Sequence, residues 1–178
     1  LFQSVTLRTA GFASFNQDAL TEASKLLSNI LMFVGGSSGS TAGGVKTVTM
    51  GLVVLSAVST MRGRRQVTVF RRSISQQDIS NAVSVALLVL GLSLFGAAVL
   101  TVCDRCSFLN AIYETTSALC TVGLTTGITG TLCAASKLIL IVFMFFGRVG
   151  IMTIGVGFMM GDRARERVQY AETKVMIG

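Results

Sequence analysis

From Ile79 to Cys103 no charged side chain interrupts 25 residues, and about 20 apolar residues suffice for a helix to cross the hydrocarbon core of a bilayer. Two further uncharged runs, Leu26 to Val45 with 20 residues and Thr115 to Ser136 with 22, are rich in Gly, Ser and Thr. Irregular backbone at membrane depth is tolerated only where it borders protein or a polar cavity, so these two runs predict broken or re-entrant segments. A mean hydropathy of +0.70 and 51% hydrophobic residues point to lipid rather than water as the solvent. The expected fold class is an all-α polytopic membrane protein.

The net charge of +7 invites a nucleic-acid reading, but the placement of the basic residues argues for a membrane instead. Arg62, Arg64, Arg65, Arg71 and Arg72 crowd one short connection without an acid, while Arg163, Arg165, Arg167 and Lys174 follow the last apolar run. By the positive-inside rule both stretches face the cytoplasm, and the intervening two crossings make that orientation self-consistent. The lack of His in the chain, with Cys103 and Cys106 lacking the second pair that a zinc site needs, argues against metal catalysis. The Cys pair itself is open between simple packing and an external disulfide. No enzyme chemistry and no cofactor are expected. The sequence opens at Leu1 without Met and reads as a piece of a longer protein.

An internal repeat organises the rest. A shift of 112 positions lays Thr9–Gly35 on Thr121–Gly147 without a gap, and ten of these 27 positions are identical: Thr9, Gly11, Leu20, Ala23, Ser24, Lys25, Leu26, Met32, Phe33 and Gly35. Random pairing of so biased a composition gives roughly two or three identities, so the match indicates duplication. Each copy reads as a short helix, a Thr-x-Gly turn, a polar stretch, and a basic residue opening an apolar helix. In the second copy the short helix is predicted over 108–120, the turn over 121–126 and the closing helix over 135–161.

A short helix ending at Thr-x-Gly in an uncharged stretch has a physical use. Its C-terminal dipole end and the carbonyls of the turn can replace water around a cation. The candidate ion-binding residues are therefore Thr9, Ala10, Gly11 and Phe12 in the first copy, and Thr121, Val122, Gly123 and Leu124 in the second. Glu114, on the short helix, faces either an external vestibule or a bracing partner.

Between Lys25 and Arg62 lie 36 residues, which as one straight helix would run about 54 Å, well beyond a core of roughly 30 Å. The helix must break, and the obvious place is Gly35, Gly36, Ser37, Ser38, Gly39, Ser40, Thr41, Ala42, Gly43 and Gly44, ten small residues of low helix preference. The nearby Lys46 and Thr47 almost complete a nucleotide-binding G-x4-G-K-[ST] loop with Gly39 and Gly44, but Val45 breaks the spacing and no strand precedes it. Arg148 falls 11 residues after Lys137, about 16 Å along a helix and close to mid-membrane, where a charge must face a pore or a partner.

The segments Thr6–Phe12 and Ala118–Gly127, with the run Gly35 to Thr47, resemble the third and fourth filter loops and the glycine-rich intramembrane loop of the Trk/Ktr/HKT superfamily of potassium transporters. The ending Tyr170 to Gly178 is similar to that of the Ktr-type membrane subunit. The resemblance implies a pseudo-fourfold cation pore of repeated helix, re-entrant pore loop and helix units, with one filter glycine from each. Residues 1–61 would be a partial third unit with an intramembrane loop at 35–46, residues 62–78 a basic cytoplasmic connection, and residues 79–178 the fourth unit with a cytoplasmic tail.

It also implies potassium uptake across the cell membrane, sodium as a possible coupling ion, a homodimer, and a cytosolic nucleotide-binding regulatory subunit. In that picture the gate consists of the glycine-rich loop, Lys46 and Arg148. Only the Thr-Val-Gly part of the filter of tetrameric potassium channels is present, so fewer carbonyl rings and weaker discrimination among potassium, rubidium and sodium are expected. The alternatives are a TrkH-like or less selective sodium and potassium transporter, and a secondary transporter that binds an organic solute at broken helices.

Overall fold

The computed structural model describes residues 2–37, 40, 42–63, 67–69 and 72–149. Among the described residues six helices run in chain order: α1 (Phe2–Thr6), α2 (Glu22–Phe33), α3 (Thr47–Met61), α4 (Gln76–Asp104), α5 (Phe108–Leu119) and α6 (Ala134–Val149). Short 3-10 turns at Gln17–Ala19 and Ile128–Gly130 follow the two Thr-x-Gly segments. The expected helical class holds, with one small addition. Strands β1 (Thr68–Val69) and β2 (Arg72–Ser73) pair antiparallel between α3 and α4, with Thr68 opposite Ser73 and Val69 opposite Arg72.

The ends of the longest helix follow from its sequence. Ser75 accepts a hydrogen bond from the Gln77 amide and Asp78 lies in the first turn of α4, both favourable at a helix N-terminus. The helix stops at Arg105, which takes a left-handed conformation at φ 51°. Within it, Ser93 and Thr101 donate to the carbonyls of Val89 and Ala97 one turn back, so their hydroxyls need no water. Among the described residues α4 is the one helix long and apolar enough to cross a membrane by length and composition.

The centre of the molecule is the short helix α5, which packs against α2, α4 and α6. Seven consecutive residues, Tyr113 to Leu119, are buried, so α5 has no solvent face over its second half, and a helix surrounded on all sides belongs to an interior. Thr115 donates to the Ser93 carbonyl of α4 at 3.1 Å. Asp104, at the end of α4, accepts from the Cys133 amide at 2.6 Å and from the Ser136 hydroxyl, which ties the start of α6 to the top of the span.

The outward faces are the reverse of a water-soluble fold. Leu26, Leu27 and Ile30 of α2, Leu87, Leu88, Leu94 and Phe95 of α4, and Leu138, Ile141 and Phe145 of α6 are all exposed. Contiguous apolar surface of this extent marks contact with lipid or with further protein.

Close approach of α6 to α5 depends on Gly147. A Cβ there would meet the Leu119 carbonyl oxygen at 2.1 Å and Thr121 Cγ2 at 3.0 Å. Backbone cannot give way as a side-chain tip can, so Gly147→Ala should destabilise the assembled protein by about 1–3 kcal/mol, the usual range for overpacking. A thermal melt of the detergent-solubilised protein checks this, and an unchanged midpoint would show that α6 is free to shift.

Candidate functional site

The two Thr-x-Gly segments share an unusual backbone. Thr9 and Thr121 are left-handed at φ 64° and 56°, and Gly11 and Gly123, two residues on, are left-handed at 75° and 85°. A left-handed β-branched residue is rare and costs roughly 1–2 kcal/mol, so the surroundings must impose it. They do so through the ends of the preceding helices. Ala10 and Gly11 both donate to the Thr6 carbonyl at 3.1 Å, while Thr121 donates to Ala118 and Val122 to Ser117. Alternating the sign of φ along a short segment turns successive carbonyls toward one side, the arrangement a dehydrated cation needs.

The residue after each glycine is anchored backwards. Thr6 donates its hydroxyl to the Phe12 carbonyl at 2.7 Å, and Ser117 donates to the Leu124 carbonyl at 2.5 Å. These two carbonyls are thereby aimed at their own helices. The two loops lie edge to edge. A side chain on Gly11 would meet the Val122 carbonyl oxygen at 2.2 Å, whereas nothing lies within 4 Å of the same point on Gly123.

Between Phe33 and Thr47 the chain leaves helical geometry and returns. Gly35 donates to the Val45 carbonyl at 2.8 Å and Val45 to the Phe33 carbonyl at 3.3 Å, with Val34 and Val45 forming a parallel bridge that closes the neck. Inside the excursion, Lys46 Nζ donates to the carbonyls of Ser40, at 3.0 Å, and Ala42, at 2.5 Å. The Gly43 amide donates to Thr121 Oγ1 at 2.8 Å, so the excursion is docked on the second Thr-x-Gly segment. Gly35, Gly36, Ser37, Ser40, Ala42, Gly43, Gly44 and Lys46 belong to this excursion, while Ser38, Gly39 and Thr41 lie outside the described residues.

Arg148, in the last turn of α6, lines a cavity of about 520 Å³ together with Glu114, Ser117, Thr121, Gly123, Leu140 and Met144. The basic tail after Gly161 lies outside the described residues, as does the closing helix beyond Val149. Cys103, Cys106, Cys120 and Cys133 are all free thiols.

Outside the loops, a polar network absent from the sequence reading joins the two copies. Gln17, 1% exposed, accepts at Oε1 from Gln3 Nε2 at 2.6 Å and from the Tyr113 hydroxyl at 3.2 Å, and donates to the Phe15 carbonyl. Lys25 Nζ meets Asp18 Oδ1 at 3.0 Å and Asn110 Oδ1 at 2.9 Å. Its repeat counterpart Lys137 donates to the Gly130 carbonyl at 3.0 Å. The shared lysine was the one sequence signal for this network. Gln17, Tyr113 and Asn110 carry no motif.

Glu114 faces a bracing partner: its carboxylate takes hydrogen bonds from Thr125, Thr126 and Thr129 in the stretch after the second loop.

Comparison with known proteins gives one family and several relatives. The model of the family described as "TrkH: Cation transport protein" matches residues 1–165. The chain is 37% identical over 177 residues to the Ktr system potassium uptake protein B of Bacillus subtilis, covering 99% of this chain and 39% of that protein. It is 36% identical over 182 residues to the potassium/sodium uptake protein NtpJ of Enterococcus hirae, with 99% and 40% covered. With the Ktr system potassium uptake protein D of Bacillus subtilis it shares 33% over 180 residues, covering 100% of this chain and 39% of that protein. The chain thus spans about two-fifths of the length of these relatives.

Proposed function

This chain belongs to the TrkH family of cation transport proteins, and on that premise we propose that it supplies two of the pore loops of a potassium-uptake protein of the cell membrane. The observation that carries the reading is the matched pair of left-handed residues, Thr9 with Gly11 and Thr121 with Gly123, in two loops that touch. Potassium is the cargo, held by the carbonyls of Thr9, Ala10, Gly11, Thr121, Val122 and Gly123 after it sheds water. Phe12 and Leu124 act as outer anchors of the loops, since their carbonyls are taken by Thr6 and Ser117.

Two loops make half a ring, and the repeat suggests where the next part goes. On the first copy, α2 is covered by α5, with Lys25 on Asn110 and Gln17 on Tyr113. The equivalent face of the second copy is the cavity between α5 and α6, beside the open side of Gly123. That face would receive a further pore helix and its Thr-x-Gly loop, closing a pseudo-fourfold pore of which residues 1–61 and 79–178 are two units joined by the basic connection 62–78.

The glycine-rich excursion would lie on the cytoplasmic side of the filter and act as its gate, with Lys46 holding the loop and Arg148 acting on it. The positive-inside rule puts the basic connection and the C-terminal tail in the cytoplasm. There a nucleotide-binding regulatory subunit would act on a homodimer of the complete protein. One relative's printed name includes sodium, which makes the potassium to sodium preference the quantity to measure.

The test is uptake in cells lacking other potassium systems. Gly123→Ser in the complete protein should weaken the preference for potassium over sodium while leaving the amount of protein in the membrane unchanged. Unaltered apparent affinities for both ions in Gly123→Ser and in Gly11→Ser would remove the filter assignment.

A further inference from the structure

A buried carboxylate with hydrogen-bond donors on both oxygens is a stiff object, and Glu114 is one. It is 4% exposed. Its Oε1 accepts from Thr125 Oγ1 at 2.6 Å, from the Thr126 amide at 2.9 Å and from Thr126 Oγ1 at 3.1 Å, while Oε2 accepts from Thr129 Oγ1 at 2.9 Å. Three donors converge on Oε1 and one on Oε2, so both oxygens of the carboxyl are held.

The position of the brace gives it a consequence. Its partners begin one residue after Leu124, whose carbonyl is held by Ser117, one turn along α5 from Glu114. A single helix therefore grips the outer limb of the second loop at Leu124, Thr125, Thr126 and Thr129. Thr125 in turn accepts from the Gly127 amide at 2.8 Å, which folds the gripped residues back on one another.

Among the described residues the first loop has no such device. Phe2 stands where the repeat would put Glu114, and the outer limb of that loop is held by Gln17 through Gln3 and Tyr113. The carboxylate brace is thus a property of the second loop and not an obligatory part of the repeated unit.

We propose that Glu114 is a positioning residue for ion discrimination: by fixing Thr125, Thr126 and Thr129 it holds the Thr121–Gly123 carbonyls at the spacing that favours potassium over sodium. The inference rests on the filter reading above. Discrimination by carbonyls depends on how far they can relax around the smaller ion, whichever of the size and field-strength accounts applies. A looser outer limb lets the ring shrink onto sodium, and preference falls before throughput does.

The experiment uses the complete protein with its regulatory subunit and measures potassium and sodium uptake separately, alongside the amount of folded protein in the membrane. Glu114→Ala removes all four acceptor contacts. Glu114→Gln keeps the shape, and because threonine hydroxyls can reverse and accept from the new amide, it should retain part of the effect. Thr129→Val removes the contact to Oε2 alone.

Losing one or more charge-assisted hydrogen bonds should lower the potassium to sodium preference roughly threefold to tenfold in Glu114→Ala, with smaller losses in Glu114→Gln and Thr129→Val and little change in maximal rate. If the alanine variant fails to assemble, the other two carry the test. Gly123→Ser is the control for the filter itself. A changed preference in Gly123→Ser with an unchanged one in all assembled Glu114 and Thr129 variants overturns the proposal and leaves the filter standing. An unchanged preference in all of them, Gly123→Ser included, overturns both.

Discussion

Gly11→Ser should lower the apparent potassium affinity of the complete protein by roughly 10- to 100-fold, and more than Gly123→Ser does. Two costs coincide at Gly11. Its φ of 75° is a conformation that side chains resist, and the new Cβ would meet the Val122 carbonyl oxygen at 2.2 Å. Left-handed strain of about 1–2 kcal/mol and overpacking of about 1–3 kcal/mol together come to about 2–5 kcal/mol, and a 10- to 100-fold loss, at a factor of ten per 1.4 kcal/mol, corresponds to about half of that falling on the ion-bound state. The displaced carbonyl belongs to the other loop, so one substitution disturbs two of the proposed filter segments. At Gly123 the strain is present but the space is empty. Concentration dependence of uptake, normalised to membrane protein, distinguishes the cases. Equal affinities in both variants would mean that the two loops do not touch in the working protein.

The second large effect concerns the excursion between α2 and α3. A Cβ on Gly43 would meet Thr121 Oγ1 at 2.7 Å, Thr121 Cγ2 at 2.8 Å and the Cys120 carbonyl oxygen at 2.9 Å. Gly43→Val should therefore lift the loop from the filter and remove its hydrogen bond to Thr121. A single hydrogen bond is worth about 0.5–1.5 kcal/mol net, which shifts a two-state balance roughly two- to tenfold toward the undocked form. Ion flux into liposomes should rise by that factor and become less dependent on the regulatory subunit proposed above, and the same direction is expected for Arg148→Ala or for deletion of residues 37–43. Flux no greater than the parent's in correctly assembled Gly43→Val, with and without the subunit, would make the loop scaffolding.

Much of the architecture was legible because lipid simplifies the rules. An uncharged run from Ile79 to Cys103 can hardly be anything but a long helix, and α4 spans Gln76–Asp104. The predicted short helix over 108–120 appears as Phe108–Leu119, since the uncharged Leu109 to Tyr113 and the small residues Thr115 to Ala118 suit an interior helix. That the helix breaks followed from its length, and the place of the break from the ten small residues Gly35 to Gly44.

Other features lie beyond one-dimensional reading. A two-residue ladder such as Thr68–Val69 on Arg72–Ser73 is too short to leave a periodicity. Left-handed Thr9 and Thr121 run against the preference of β-branched residues, so local propensity points away from the observed backbone. Gln17 looked like any loop amide, and only the fold brings it to Tyr113, 96 positions away. Glu114 had two readings until the chain placed three threonines around it.

Lys46 adds a property that neutral glycines could not. With its ammonium bound by the carbonyls of Ser40 and Ala42, the loop carries a positive charge wherever it goes. One elementary charge moved through the whole membrane potential is worth about 2.3 kcal/mol per 100 mV, so an excursion across a tenth of that field couples at about 0.2 kcal/mol per 100 mV. A loop that swings along the membrane normal is then graded by the cell's own voltage, gently and without a dedicated sensor helix.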